Sequence, residues 1–104
     1  MLDRLDEAIG GRQRLHLAYN RLDGARSERT VRPLGLYYWG KVWTLVVWCE
    51  MRDDFRIFRV DRIGEPETVG PFSVERGRTL RDYLKKVARE HDITLSDLTG
   101  GGGA

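Results

Sequence analysis

Hydrophobic positions lay out the elements of this chain. Leu2, Leu5, Ala8 and Ile9 recur at helical spacing ahead of Gly10–Gly11, so an amphipathic helix is expected over residues 1–10, stopping at the glycines. The period then shortens to two. Leu15, Leu17 and Tyr19 alternate with His16 and Ala18, a strand pattern over residues 13–20. Asp23–Gly24 is a turn signal, and residues 27–39 resume an extended pattern in which Pro33 forces a bend or an edge position. Trp39–Gly40–Lys41–Val42 reads as a two-residue hairpin turn, Gly40 supplying the positive φ that such turns require. The returning strand runs from Val42 to Glu50, Arg52–Asp53–Asp54 makes a loop, and residues 55–60 form a fourth strand. After a turn at Gly64–Glu65–Pro66, Glu67 to Phe72 supply a short closing strand. Thr79 and Asp82 have the spacing of a helix-opening capping pair, followed by the buried stripe Leu80, Leu84 and Val87 of a helix over 79–91. The fold class predicted is mainly β (α+β): a small, partly open five-stranded antiparallel barrel over 12–72, between an N-terminal and a C-terminal helix. One folded unit spans 1–98, and residues 99–104, Thr99 to Ala104, form a flexible tail without chemistry.

Composition sharpens this plan. A chain of 104 residues with 40% hydrophobic and 33% charged content describes one folded domain with a modest core. No apolar run approaches a membrane span and no leader pattern opens the chain, so the expected compartment is the cytoplasm and no membrane partner is expected. Cys49 has no second cysteine to pair with and sits among strand formers, which reads as a buried, inert thiol. The formal net charge of +2 hides an asymmetry: residues 12–62 hold eleven basic against six acidic side chains, and ten of the eleven are arginine. Arginine's planar fork suits phosphate or carboxylate, so the bias hints at recognition; a general arginine preference of a GC-rich genome is the plainer explanation.

No nucleophile elbow, His–Cys pair, phosphate-cradling glycine loop or metal-ligand spacing occurs, and His16 and His91 are lone histidines on unrelated elements. An enzyme is not expected, nor a metal or a cofactor. Tyr37, Tyr38 and Trp39 are consecutive, so at least one points outward, where it suits base stacking or a subunit contact. Arg29 and Arg32 flank Val31, while Arg56, Arg59 and Arg62 recur every third residue. Strict alternation puts Arg56 and Arg59 on opposite faces, so a shared ligand needs a bulge, strong twist or a barrel rim. Ordinary salt bridges to Glu28, Asp53, Asp54 and Asp61 are the alternative.

Leu17–Ala18–Tyr19, the stretch from Ser27 through Arg29, Arg32 and Pro33 to Leu36, the Trp43–Thr44–Leu45 run and Phe55 to Ile63 together resemble a WYL domain. With the flanking helices the resemblance covers about residues 1–90. It is closest in kind to the C-terminal domain of DeoR-like bacterial regulators, whose N-terminal half is a winged helix-turn-helix. What it implies is an Sm-like or SH3-like barrel that senses a ligand, commonly within a homodimer, and signals to that DNA-binding half. The implied ligand is single-stranded nucleic acid or a nucleotide. Carried over by position, the candidate patch is Arg29, Arg56, Arg59 and Arg62, with Tyr19 and Arg32 beside them. One departure is Thr44, which stands where the family has its namesake tyrosine. A dimerisation module without any ligand is the alternative function.

Overall fold

The computed structural model describes residues 1–21 and 23–91, so the expected tail over 99–104 lies outside the described residues. In chain order the elements are α1 (Leu2–Gly10), β1 (Gln13–Asn20), β2 (Arg26–Trp39), β3 (Val42–Cys49), β4 (Asp54–Arg59), a 3-10 turn (Val60–Arg62), β5 (Glu67–Pro71) and α2 (Leu80–His91). The five strands form a single antiparallel sheet in the order β4-β3-β2-β1-β5. Element types agree with the hydrophobic pattern, and the boundaries move by only a residue or two.

Local chemistry explains most of these boundaries. The β2–β3 turn has positive φ at both Gly40 (57°) and Lys41 (70°), the mirror-image turn whose twist matches that of paired strands. At α2 the capping is reciprocal: the Asp82 N–H donates to Thr79 Oγ1 (3.1 Å) and the Thr79 N–H donates to Asp82 Oδ2 (3.1 Å). α1 stops at the glycines as expected, but without a left-handed glycine. Gly11 has an ordinary φ of −88°, and the left-handed residue is Arg12 (φ 51°).

β2 serves two partners in succession. Its first half pairs with β1 as far as Leu15–Val31, and its second half pairs with β3 from Val31–Cys49 to Trp39–Val42. Pro33 falls just past the last β1 pair, where a residue without an N–H is tolerated, and the register shift between Pro33 and Gly35 follows at once. The sheet curls about this strand but does not close as a ring. β4 and β5 lie at its two ends, so the barrel is better described as a curled open sheet. Near-closure comes from elsewhere: Tyr19 bridges to Ile63, the Gly64 N–H donates to the Ala18 carbonyl (2.7 Å), and the Arg59 N–H donates to the Tyr19 hydroxyl (3.4 Å). At the other end of β4 the Phe55 N–H donates to Asp54 Oδ1 (2.8 Å).

Leu15 and Leu17 of β1, Val31 of β2, Leu45, Val47 and Cys49 of β3, and Phe58 of β4 form the core with Leu5 and Ala8 of α1. The thiol is thus buried, as the strand context predicts. A second, smaller layer lies on the outer face, where Trp48 meets Phe55 edge-on (5.0 Å) and Phe55 meets Tyr83 of α2 (5.5 Å). The absence of a side chain at Gly35 lets Leu80 in, since a Cβ there would sit 3.2 Å from a leucine methyl.

Candidate ligand-binding site

The register separates the six candidate residues. Tyr19 lies two residues beyond Leu17, and Arg29 stands directly across from Leu17, so both share the core-facing side of the sheet. Arg56 stands across from Val47, two residues before buried Phe58, on that same side. The Tyr19 and Phe58 rings touch across the open seam between β1 and β4, with centroids 4.7 Å apart. Arg56 lays its guanidinium over the Phe58 ring at 5.5 Å, and Arg29 is the diagonal neighbour of Tyr19. Arg29 donates from Nη1 to the Glu28 carbonyl (2.8 Å).

Tyr19 also lines a concavity of about 350 Å³ together with Arg21, Asp23, Arg59 and Arg62. The 3-10 turn brings Arg62 beside Arg59, while Arg56 stays on the opposite face of β4, as strict alternation predicts, and neither it nor Arg29 lines this concavity. Arg59 closes β4 on the outward face, and the tight turn after it carries Arg62 to the same concavity. Arg59 forms a two-pronged pair with Asp61 (3.1 and 2.7 Å); that hydrogen bonding raises the guanidinium pKa and lowers that of the carboxylate. Arg56 Nη1 and Arg62 Nε are buried and lack a hydrogen-bond partner among the described residues. A buried donor left unpaired costs about 1–3 kcal/mol, and more when it belongs to a charged group.

Arg32 is placed apart from both the Arg29–Arg56 side and the Arg59–Arg62 concavity. It projects from the outer face, is 6% exposed, and donates to Glu50 Oε2 (2.9 Å) and Glu75 Oε1 (2.7 Å), with Phe72 5.7 Å from its guanidinium. Burial opposes its charge, but the hydrogen bonds to Glu50 and Glu75 outweigh that effect and raise its pKa. For Glu50, burial pushes the carboxyl upward, yet hydrogen bonds from Arg14 and Arg32 carry it below the ordinary glutamate range. The chain of pairs continues through Glu75 to Arg78, whose guanidinium lies 4.9 Å from the Trp48 ring. This is a fold-holding network over the outer aromatic layer.

Thr44, at the family's tyrosine position, donates its hydroxyl to the Tyr37 carbonyl (3.1 Å) across the β2–β3 ladder. Of the three consecutive aromatics, Trp39 is the outward one at 73% exposed and Tyr38 follows at 51%. Phe58 and Arg21 complete the candidate site without having been singled out as site residues. Phe58 is findable from its i, i+2 relation to Arg56, whereas Arg21 carries no sequence signal beyond its neighbourhood to Tyr19. Among the described residues, no cluster of three or more His, Cys, Asp or Glu is placed to hold a metal ion, and no helix is long and apolar enough to cross a membrane.

Comparison with known proteins gives concordant matches. The family model described as "WYL domain" matches residues 1–68. Two Escherichia coli proteins, one from strain KTE188, are each named DNA-binding transcriptional repressor CapW. Both are 29% identical over 72 residues, which is 68% of this chain and 24% of the relative. The solved structure of proteasome accessory factor B/C (PafBC) of Arthrobacter aurescens superposes with a TM-score of 0.65 at 30% identity, over 73% of this chain and 12% of that one. The chain thus spans only about a quarter of the length of the curated relatives it matches.

Proposed function

Because the chain belongs to the WYL-domain family, we propose that it is the ligand-sensing domain of a bacterial transcriptional regulator, acting without catalysis in the cytoplasm. Its ligand bears phosphate, as single-stranded nucleic acid or a nucleotide, and is held by Arg29, Arg56, Arg59 and Arg62 beside Tyr19. A helix-turn-helix half of the same regulator receives the signal, within a homodimer; the name of the CapW relatives, a DNA-binding transcriptional repressor, supports that wider role. Arg32 serves the fold in this reading. The observation that carries the proposal is the convergence of Arg59 and Arg62, with Arg21 and Tyr19, on one open concavity. Guanidinium forks that reach one concavity suit phosphate oxygens, which they can meet in pairs.

Fluorescence-polarisation titrations of short single-stranded DNA, RNA and free nucleotides across a salt series test this. Four arginine–phosphate contacts give a slope of log K against log salt of about −3, and Arg56→Ala makes it shallower by about 0.7. Tight binding that ignores salt, or an Arg56→Ala slope equal to the parent's, contradicts the mechanism. One observation favours a second reading, a dimerisation module without ligand. Tyr38 and Trp39 stand exposed at the tip of the β2–β3 hairpin, where a second copy would cover them. In that case Trp39→Ala yields a monomer by sedimentation, and no oligonucleotide binds.

A further inference from the structure

We propose that the apolar concavity beside the β2–β3 turn is a nucleobase subsite, which makes the ligand an oligonucleotide of at least two residues rather than a free mononucleotide. The inference rests on the phosphate-binding role proposed above and extends it to a part of the surface that none of the arginines explains.

This concavity has a volume of about 470 Å³, within the ordinary range for small-ligand sites. Trp43, Val42, Val60 and Ile63 supply its apolar walls, and Lys41 and Asp61 its polar edge. Trp43 is held in place by Tyr38, whose ring meets it edge-on at 5.4 Å, so the indole is a pre-set platform. It nevertheless remains 40% exposed, so the indole is accessible to a partner. Lys41 is fixed at the lip by the tight turn itself, through its positive φ.

The 3-10 turn joins this concavity to the arginine site. Val60 and Asp61 face one, while Arg59 and Arg62 face the other. The two concavities thus flank a turn only three residues long. The Arg59–Asp61 pair straddles the divide, which offsets the repulsion of that carboxylate for a polyanion, while Asp23 remains at the wall of the arginine concavity. A phosphate at Arg62 therefore brings the neighbouring base to Trp43 with a cation, Lys41, at the entrance. Stacking of this kind tolerates any base.

Calorimetric titration at low salt with thymidine 5′-monophosphate and with a single strand of six thymidines tests the inference. The hexamer is expected to bind the parent protein more tightly than the monophosphate. Trp43→Ala should weaken the hexamer about 5- to 150-fold, the worth of one stacked base, and leave the monophosphate unchanged. Trp43→Leu, which keeps apolar bulk for folding, should give a similar loss, Trp43→Phe a smaller one. Trp39→Ala, outside the concavity, should change neither ligand. Equal binding of both ligands by the parent protein overturns the subsite while leaving the arginine site intact, as does a hexamer affinity that Trp43→Ala and Trp43→Leu do not alter. A Trp43→Ala protein that turns from dimer to monomer with hexamer affinity intact overturns it in favour of a contact between copies. If the parent protein binds neither probe, the phosphate-binding role fails and the subsite with it.

Discussion

Replacing Arg32 by methionine keeps the aliphatic stem and removes the guanidinium from its place over the outer face. Three interactions are lost: the hydrogen bonds to Glu50 (2.9 Å) and Glu75 (2.7 Å) and the contact with the Phe72 ring (5.7 Å). Hydrogen bonds to charged groups are worth about 1.5–3 kcal/mol each and the cation–π contact about 0.5–1 kcal/mol. Against these stands the recovered cost of desolvating Arg32, several kcal/mol for a buried ion. What decides the balance is the state of the partners left behind. Glu50 keeps Arg14 at 2.9 Å and Glu75 keeps Arg78 at 3.0 Å, so neither carboxylate is orphaned. The usual loss of about 3–5 kcal/mol for stranding a buried charge therefore does not apply, and about 2 kcal/mol is expected. For a domain of this size that lowers Tm by about 10 °C in a circular-dichroism melt. Removing Arg14 as well strands Glu50, so Arg14→Met/Arg32→Met should cost about 1 kcal/mol more than the two single changes added together. A strictly additive pair would refute the compensation reasoning. So would an Arg32→Met protein of parental stability that has lost oligonucleotide binding, because Arg32 would then be a ligand contact.

Two further outcomes follow from the packing and the charges. Leu5 is fully buried and anchors α1 on the sheet, so Leu5→Ala should cost about 3 kcal/mol by urea denaturation, and a loss under 1 kcal/mol would mean that α1 is not part of the cooperative unit. Glu50 has its carboxyl pKa lowered in the fold by Arg14 and Arg32, against the opposing effect of burial. Its contribution is therefore complete above the ordinary glutamate value of about 4.3 and fades as pH falls through the depressed folded value. Glu50→Gln should lower stability at pH 7 and flatten the decline between about pH 5 and pH 3; an unchanged pH profile would show that the pair contributes nothing.

Legibility in the sequence tracks how local each cause is. The turn at Gly40–Lys41, the Thr79–Asp82 cap and the alternation of Leu15, Leu17 and Tyr19 are written within a few residues of each other, and all stand in the fold. The fate of each arginine is not local. Arg32 and Arg56 have equally plain strand contexts, yet Arg32 meets carboxylates 18 and 43 residues away while Arg56 meets only an aromatic face among its described neighbours. Only the register, which places one on the outer face and the other on the inner, tells them apart. A partly open barrel was expected, but which edges stay open was equally hidden, because β5 joins β1 across more than fifty residues rather than meeting β4. The 3-10 turn escaped the strand pattern as well: residues 60–62 continue the spacing of Arg56 and Arg59, but the chain has already left the ladder.

β4, at one end of the strand order, has a free edge of the kind that seeds fibrous aggregates. Two of its outward amides are already taken by side chains, Phe55 by Asp54 and Arg59 by the Tyr19 hydroxyl. By the two-residue period, Ile57 is left as the sole outward amide between them. One amide is a poor template for a ladder, so the aromatic ring that frames the candidate ligand site also blunts the β4 border, while the border at β5 has no such cover from it.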